Sequence, residues 1–174
     1  MKNKRMLIAL LSAAVVVITT GCATSKMSSA PMASHVKHSV SVIALAPGGG
    51  MLTDAVGVEL ANRGFTIIDP SSTSNMMVRL NLNEVEISRP EGLAKLKDQG
   101  IDAFLIVRAA GGYDQQPQSA SARMNSTHNG KLLAGITWQN GYGGMAGSIA
   151  DRTMRKGLSE AAIEIATALS ERVQ

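Results

Sequence analysis

The feature that most constrains this chain is a strand, a helix and a second strand set end to end over residues 40–69. Val40, Val42 and the run Ile43-Ala44-Leu45 read as a buried strand over 40–46, because a strand covered on both faces is continuously apolar rather than alternating. Pro47-Gly48-Gly49-Gly50 stops it. Leu52, Ala55, Val56 and Leu60 then recur on one helical face over 51–63. Gly64 follows, where a helix C-cap needs a positive φ. Phe65-Thr66-Ile67-Ile68 is the second strand, and Asp69-Pro70 ends it. Two neighbouring strands joined through a helix lie parallel, and the crossover is right-handed. A chain that opens this way is committed to an α/β fold with helices on its sheet.

Later segments extend that architecture. Residues 71–87 are open to two readings: Val78, Leu80 and Leu82 alternate like a strand, while Met76, Met77 and Leu80 suit a short helix opening in Ser71-Ser72-Thr73. Ser88 and Glu91 have the spacing of a capping box, with Pro90 in the first turn of a helix over 89–99 that Gly100 ends. Residues 101–107 form a third buried strand, and 109–118 a polar loop around Gly111-Gly112-Tyr113-Asp114. Ala120, Ala122 and Met124 alternate with polar residues, as do Leu132, Ala134, Ile136 and Trp138. Between these runs Asn129-Gly130 suits a type I′ turn, so 119–127 and 131–139 read as a hairpin. A glycine-rich loop over 139–147 leads to a long amphipathic helix over 148–172. The expected fold is α/β, a mixed sheet with a parallel βαβ core plus an antiparallel hairpin. Helices pack on that sheet, and the long C-terminal helix is one of them. Trp138, at the end of an alternating apolar face, is expected to be buried.

The N-terminal segment reads as an address. Lys2, Lys4 and Arg5 form a basic head, residues 6–18 are apolar except for Ser12, and Thr19-Thr20-Gly21-Cys22 follows. That is the layout of a secretory signal peptide. An uncleaved membrane anchor is the alternative, but a helix needs about 20 apolar residues to span a bilayer. Cys22 is the only cysteine, so no internal disulfide can form. Gly21-Cys22 resembles the lipobox of bacterial lipoproteins, in which the cysteine is diacylated and becomes the new N-terminus; Thr19 stands where that motif usually has Leu. Ala23 is not the aspartate of an inner-membrane retention signal, so the resemblance implies an outer-membrane, lipid-anchored chain facing the periplasm. The expected organisation is a signal peptide over 1–21, lipidated Cys22 with a flexible tether over 22–38, and a periplasmic domain over 39–174. His35 and His38 lie in the tether with no Cys, Asp or Glu nearby, so a metal site is not expected there.

Composition narrows the function classes. Aromatic residues are 3% of the 174, too few for a stacking platform on single-stranded nucleic acid or an aromatic carbohydrate cleft. The net charge of +4 is concentrated in the leader: its three basic residues leave 14 Lys and Arg against 13 Asp and Glu elsewhere. A nearly neutral mature chain gives no footprint for nucleic acid.

The phrases Gly64-Phe65-Thr66-Ile67-Ile68-Asp69, Gly100-Ile101-Asp102-Ala103-Phe104-Leu105-Ile106-Val107 and Asn129-Gly130-Lys131-Leu132-Leu133 occur in that order. Together with the helices between them they resemble the α/β domain of envelope lipoproteins related to the curli-secretion component CsgG, and the TolB N-terminal domain. The likeness covers residues 40–172 and favours helix over 71–82. No connection has room for the 9–11-residue spanning strands of a transmembrane hairpin, so the resemblance is to the periplasmic domain without a pore. It implies a binding or assembly role among envelope proteins, self-association included.

No catalytic constellation stands against that expectation. The Gly48–Gly50 turn lacks the Gly-Lys-Ser/Thr of a P-loop, and Thr53 occupies a place where a dinucleotide fingerprint needs glycine. No Gly-x-Ser-x-Gly elbow occurs. His128, beside the Asn129-Gly130 turn, reads as a solvated tip rather than a general base. Asp69 and Asp102 are the one carboxylate pair with a chance of proximity, and capping or turn roles suit both. The expectation is a non-enzyme with no cofactor and no metal site; Cys22 is the lipidation site, and Tyr113, Asp114 and Tyr142 are candidate partner contacts on loops. The alternative is a periplasmic small-ligand binder or hydrolase working at Gly48–Gly50, Asp69 and Tyr113.

Overall fold

A computed structural model of the chain describes residues 24–30, 39–111, 116–142, 145 and 148–173. Its contacts divide into two units: Ser25–Asn140 with Lys156–Gln174, and Met1–Thr24 with Gly141–Arg155. The larger unit carries strands β1 (Ser25–Ser29), β2 (Val42–Leu45), β3 (Thr66–Ile68), β4 (Ala103–Ala110), β5 (Ser119–Ser126) and β6 (Leu132–Asn140). Its helices are α1 (Gly50–Ala61), α2 (Pro70–Arg79), α3 (Pro90–Lys97) and α5 (Leu158–Ser170), with a 3-10 turn at Glu86–Ser88. The smaller unit carries α4 (Ile149–Met154).

The strands form one mixed sheet in the order β1-β6-β5-β4-β2-β3. β2 pairs in parallel with β3 and with β4; every other pair is antiparallel. The parallel βαβ core and the antiparallel hairpin therefore stand as expected, and helices pack on the sheet. Alternation sends Ile43, Leu45, Ala103, Leu105 and Val107 to one face, where Leu52, Val56 and Leu60 of α1 and Ala162, Ile165 and Leu169 of α5 cover them. Ala44, Ala46 and Phe104 point to the other face, under Met76 and Met77 of α2, Ile87, and Leu93 and Leu96 of α3. β5 and β6 feed only the first core, through Ala120, Ala122, Met124, Ala134, Ile136 and Trp138. Trp138 is 1% exposed, as its alternating pattern requires.

Several local readings are corrected. The segment 71–87 is helical over Pro70–Arg79, and its N-cap is Asp69 rather than a serine. The Asp69 side chain accepts from the Ser71 and Ser72 N–H groups while Pro70 occupies the first turn. The Ser88–Glu91 capping box does not form: the 3-10 turn claims Ser88, and Arg89 is the N-cap of α3 without a side-chain cap bond. The hairpin closes through a four-residue turn over 127–130 in which Gly130 alone takes a positive φ, its N–H donating to the Ser126 carbonyl. A type I′ turn would need Asn129 there too. The long C-terminal helix is broken: Arg155 is extended, Gly157 caps α5, and the Glu160 side chain accepts the Gly157 N–H.

The largest correction falls at the N-terminus. Residues 25–29, read as tether, are an edge strand paired with β6 from Ser25 opposite Asn140 to Ser29 opposite Ile136. Nothing in a run of small polar residues announces this; the partners come from elsewhere in the fold. Glu164 of α5 accepts from the Ser25 hydroxyl (2.6 Å) and from the Trp138 indole N–H (2.7 Å), and pairs with the Lys156 ammonium. Arg172 donates to the Ala30 carbonyl and the Ser29 hydroxyl. Burial works to raise the Glu164 pKa, but the hydrogen bonds from Lys156, Ser25 and Trp138 and the charge of Lys156 outweigh it and hold the carboxyl below its ordinary value.

Two expectations follow from this clamp. A chain begun at residue 31 should be less stable than one begun at residue 23 by at least about 2 kcal/mol, from the lost backbone bonds alone. For a domain of this size that lowers Tm by about 4–8 °C, and equal melting temperatures would return residues 25–29 to the tether. The Glu164 contribution is complete above its unfolded-state value and lost as pH falls through the lower folded value. The Tm of the native sequence should therefore fall more steeply than that of Glu164→Gln between about pH 5 and pH 3; parallel curves would show that the carboxylate contributes nothing.

Candidate functional site

Two places in the larger unit were open to function: the carboxyl ends of the parallel strands, where open α/β sheets bind ligands, and the sheet face without helices. At the carboxyl ends of β2 and β4 lies a crevice of about 100 Å³, walled by Ala46, Gly48, Gly49, Glu84, Phe104 and Arg108. Small-molecule sites usually span several hundred Å³. The glycines there serve packing. A Cβ on Gly49 would stand 1.9 Å from the Thr53 Oγ1 and 2.6 Å from the Val107 carbonyl oxygen, so only glycine lets α1 start this close to β4. Gly48 and Gly50 take positive φ to make the turn. Glu84 and Arg108 bring charges of opposite sign to its wall.

The carboxylates singled out from sequence are committed elsewhere. Asp69 follows the carboxyl end of β3 and caps α2. The Ser72 hydroxyl (2.6 Å) and the Ser72 and Ser71 N–H groups hold its carboxyl below the ordinary value. Asp102 precedes β4, at the opposite end of the parallel strands, so the two do not form a pair. Its carboxylate accepts from the Ser41 and Val42 N–H groups at 2.9 Å each, tying the start of β2 to the start of β4. His128 Nε2 lies 3.7 Å from the other oxygen, so His128 leans on Asp102 rather than standing as a free tip. Burial pushes the Asp102 pKa up, but the backbone bonds from Val42 and Ser41 and the proximity of His128 prevail and leave it below the ordinary value. Among the described residues no group of His, Cys, Asp and Glu could hold a metal ion, and no helix is long and apolar enough to cross a membrane.

Among the described residues, the face opposite α1 and α5 is uncovered across the second half of β4 and across β5, β6 and β1. The pairing sets side chains in rows: Arg108, Ser121, Thr137 and Ser28 in one, Ala110, Ser119, Gln139 and Lys26 in the next. These rows floor a shallow concavity of about 510 Å³. Arg108 and Lys26 are exposed cations in these rows, Arg123 stands exposed on the same face of β5, and no carboxylate belongs to the rows. Alternation in β5 and β6 marks this face as polar in the sequence; the added strand β1, which brings Lys26 and Ser28, gives no such sign.

In the smaller unit, Tyr142 is 67% exposed, so its ring does not fold away as a buried lid. The Arg155 guanidinium lies 5.4 Å from the ring centroid, and the same group pairs with Asp151 at 2.8 Å. Met145 and Ile149, exposed beside Tyr142 in the sequence, were not singled out by the sequence reading. Cys22, Tyr113 and Asp114 lie outside the described residues.

No family model and no curated protein matches the sequence. Among solved structures the chain resembles PelC of Paraburkholderia phytofirmans, described as a dodecamer, at 15% identity and a TM-score of 0.49 over 87% of this chain and 100% of that one. It also resembles the lipoprotein GNA1162 of Neisseria meningitidis, at 19% identity and a TM-score of 0.47 over 77% and 99%. A third is the LpoB C-terminal domain of Escherichia coli, at 16% identity and a TM-score of 0.42 over 62% and 88%.

Proposed function

We propose that this protein is a non-enzymatic, lipid-anchored module of the outer membrane that faces the periplasm and docks onto an envelope protein or a second copy of itself. The observation that carries the docking role is the helix-free sheet face. A sheet is stable with one face wet, so this surface owes nothing to the core. It presents cations and hydroxyls on a rigid, shallow floor rather than an enclosed pocket. The alternative, a small-ligand binder or hydrolase at the strand ends, has a crevice of about 100 Å³ whose glycines already serve the fold.

The lipid anchor is read from the basic head, the short apolar run and Gly21-Cys22, with the leader ending at residue 21. The kinship to the CsgG-related and TolB-like domains rests on the three phrases at residues 64–69, 100–107 and 129–133. Gly64 and Gly100 both take the positive φ that ends a helix just before a strand, which is the role glycine has in those phrases. Tyr113 and Asp114 follow β4 in the sequence and are proposed to extend the contact.

Replacing Cys22 with Ser should abolish acylation and release the chain from the membrane fraction; a variant that fractionates unchanged removes the anchor from the reading. A photo-crosslinking residue at Ser121 should give a discrete adduct in intact cells, absent with the same residue at exposed Val78 of α2. Lys26→Glu with Arg108→Glu should abolish that adduct without lowering Tm, since both side chains are exposed. An adduct indifferent to the charge reversals, or none at Ser121 beyond the Val78 background, would sink the docking role of this face.

A further inference from the structure

β1 is an edge of the sheet, and its hydrogen-bonding groups can be assigned one by one. The Ala30 N–H donates to the Gly135 carbonyl, while the Asn140 N–H turns the other way, to the Gln118 carbonyl on the β5 side. In an antiparallel ladder, residues alternate between pairs that exchange both bonds and pairs that exchange none. Lys26 and Ser28, in step with Ala30, therefore bond to Gln139 and Thr137 of β6. Ser25, Met27 and Ser29 point their N–H and C=O groups away from the sheet, and these groups have no partner among the described residues. Lys26, Met27, Ser28 and Ser29 are exposed, so the edge stands open to solvent. An edge of this kind is a template for another strand.

The side chains alternate as well. Ser25 and Ser29 turn to the α5 face, where Glu164 and Arg172 hold them. Met27 comes between them on that face and is 43% exposed. Ala168, half-buried, lies midway between Glu164 and Arg172 on the same side of α5. Lys26 and Ser28 belong to the open face.

We infer that β1 is where a second copy of this chain adds to the sheet, antiparallel and about a two-fold axis at Met27. In that register Met27 faces Met27 of the second copy and exchanges two bonds with it. Ser25 faces Ser29 of the second copy, and Ser29 faces Ser25. Every outward N–H meets an outward carbonyl. Lys26 falls opposite Ser28, so no like charges stand face to face. Other registers do worse. A slip of one residue sets outward groups against inward ones. Centring the axis on Lys26 opposes two ammonium groups and leaves Ser29 unpaired; centring it on Ser28 leaves Ser25 unpaired. This self-complementarity favours a second copy over an unrelated extended peptide, and a two-fold contact closes on itself as a dimer. Two exposed Met27 side chains meet at the axis and lose apolar area to water. The contact uses the strand edge and does not depend on docking at the open face.

The register fixes the experiment. Lys26 and Ser28 of the second copy form a pair without mutual bonds, with Cα atoms about 4.5 Å apart, within reach of a disulfide. Two Lys26 residues, or two Ser28 residues, lie about 8 Å apart, beyond that reach. Full-length Lys26→Cys and Ser28→Cys, carrying different tags, are expressed in one cell and treated with an oxidant. A disulfide-linked dimer holding both tags should form in these mixed cells. Each variant alone, with both tags, should give no more than the native sequence, whose only thiol is Cys22. Emission of buried Trp138 in the purified variants checks the fold. A second measurement needs no cysteine. Met27→Pro removes an outward N–H and no bond to β6, a place where an edge strand accepts proline. In sedimentation of the purified full-length protein in detergent, the native chain should be a dimer. Met27→Pro should raise its dissociation constant at least about tenfold, one backbone bond being lost from each copy. Mixed dimer no more abundant than in the native control overturns pairing at β1. Equal crosslinking in mixed and single-variant cells, or a Met27→Pro chain that dimerises like the native one, overturns the register. A native chain that sediments as a monomer throughout overturns the second copy as the occupant of this edge.

Discussion

The structure depends on a shortage of helices. Six strands make a sheet with two faces, and the larger unit has enough helical surface to cover one face fully and the other only over β2, β3 and the first half of β4. Parallel strands need cover on both sides, and they have it, from α1 on one face and from α2 and α3 on the other. The antiparallel strands can leave one face wet, and their sequences are written for that. Ala120, Ala122 and Met124 point to α5 while Ser119, Ser121, Arg123 and Asn125 point away. The open face is thus a consequence of where parallel pairing stops. A polar, rigid, helix-free surface is what remains for contact with other molecules.

The clamp at Glu164 decides that residues 25–29 belong to the sheet. A five-residue strand at a sheet edge is weak by itself. Here one carboxylate takes hydrogen bonds from Ser25 on the strand and Trp138 on its neighbour, and pairs with Lys156 before α5. Strand, sheet and helix are joined at one group whose pKa is held down by the same bonds. Because β1 is sheet rather than tether, residues 30–41 link two strands of one sheet, β1 and β2.

The parallel core was legible because its signals are local and strong: continuous apolar runs at 40–46 and 101–107, and glycines at 64 and 100 where helices must stop. The hairpin was legible from period-two alternation, though its turn type was not, since Asn129 can sit on either side of φ zero and only the closing bonds at Ser126 decide. Boundary motifs misled where two local signals competed. Ser88 and Glu91 have capping spacing, but a 3-10 turn immediately before uses Ser88 first. Gly157 breaks the last helix, and its neighbours Arg155 and Lys156, good helix formers, hide the break. β1 was illegible in principle. Ser-Lys-Met-Ser-Ser carries no hydrophobic pattern, and its pairing is supplied by Glu164 and Arg172, more than a hundred residues away.

Most of the polar chemistry that looked available for a reaction is already spent. Asp69 caps α2, Asp102 joins the starts of two strands and holds His128, and the glycines between β2 and α1 let a helix approach the Val107 carbonyl. A catalytic carboxylate needs a pKa near working pH; these three carboxylates, Glu164 included, are all held below their ordinary values by donors that the fold itself provides. They are ionised acceptors at neutral pH with their lone pairs committed. Each of them serves the scaffold: Asp69 caps a helix, Asp102 ties two strands and Glu164 joins strand, sheet and helix. What the fold leaves unspent lies on surfaces: hydroxyls and cations on the open sheet face of the larger unit, and exposed apolar side chains in the smaller one.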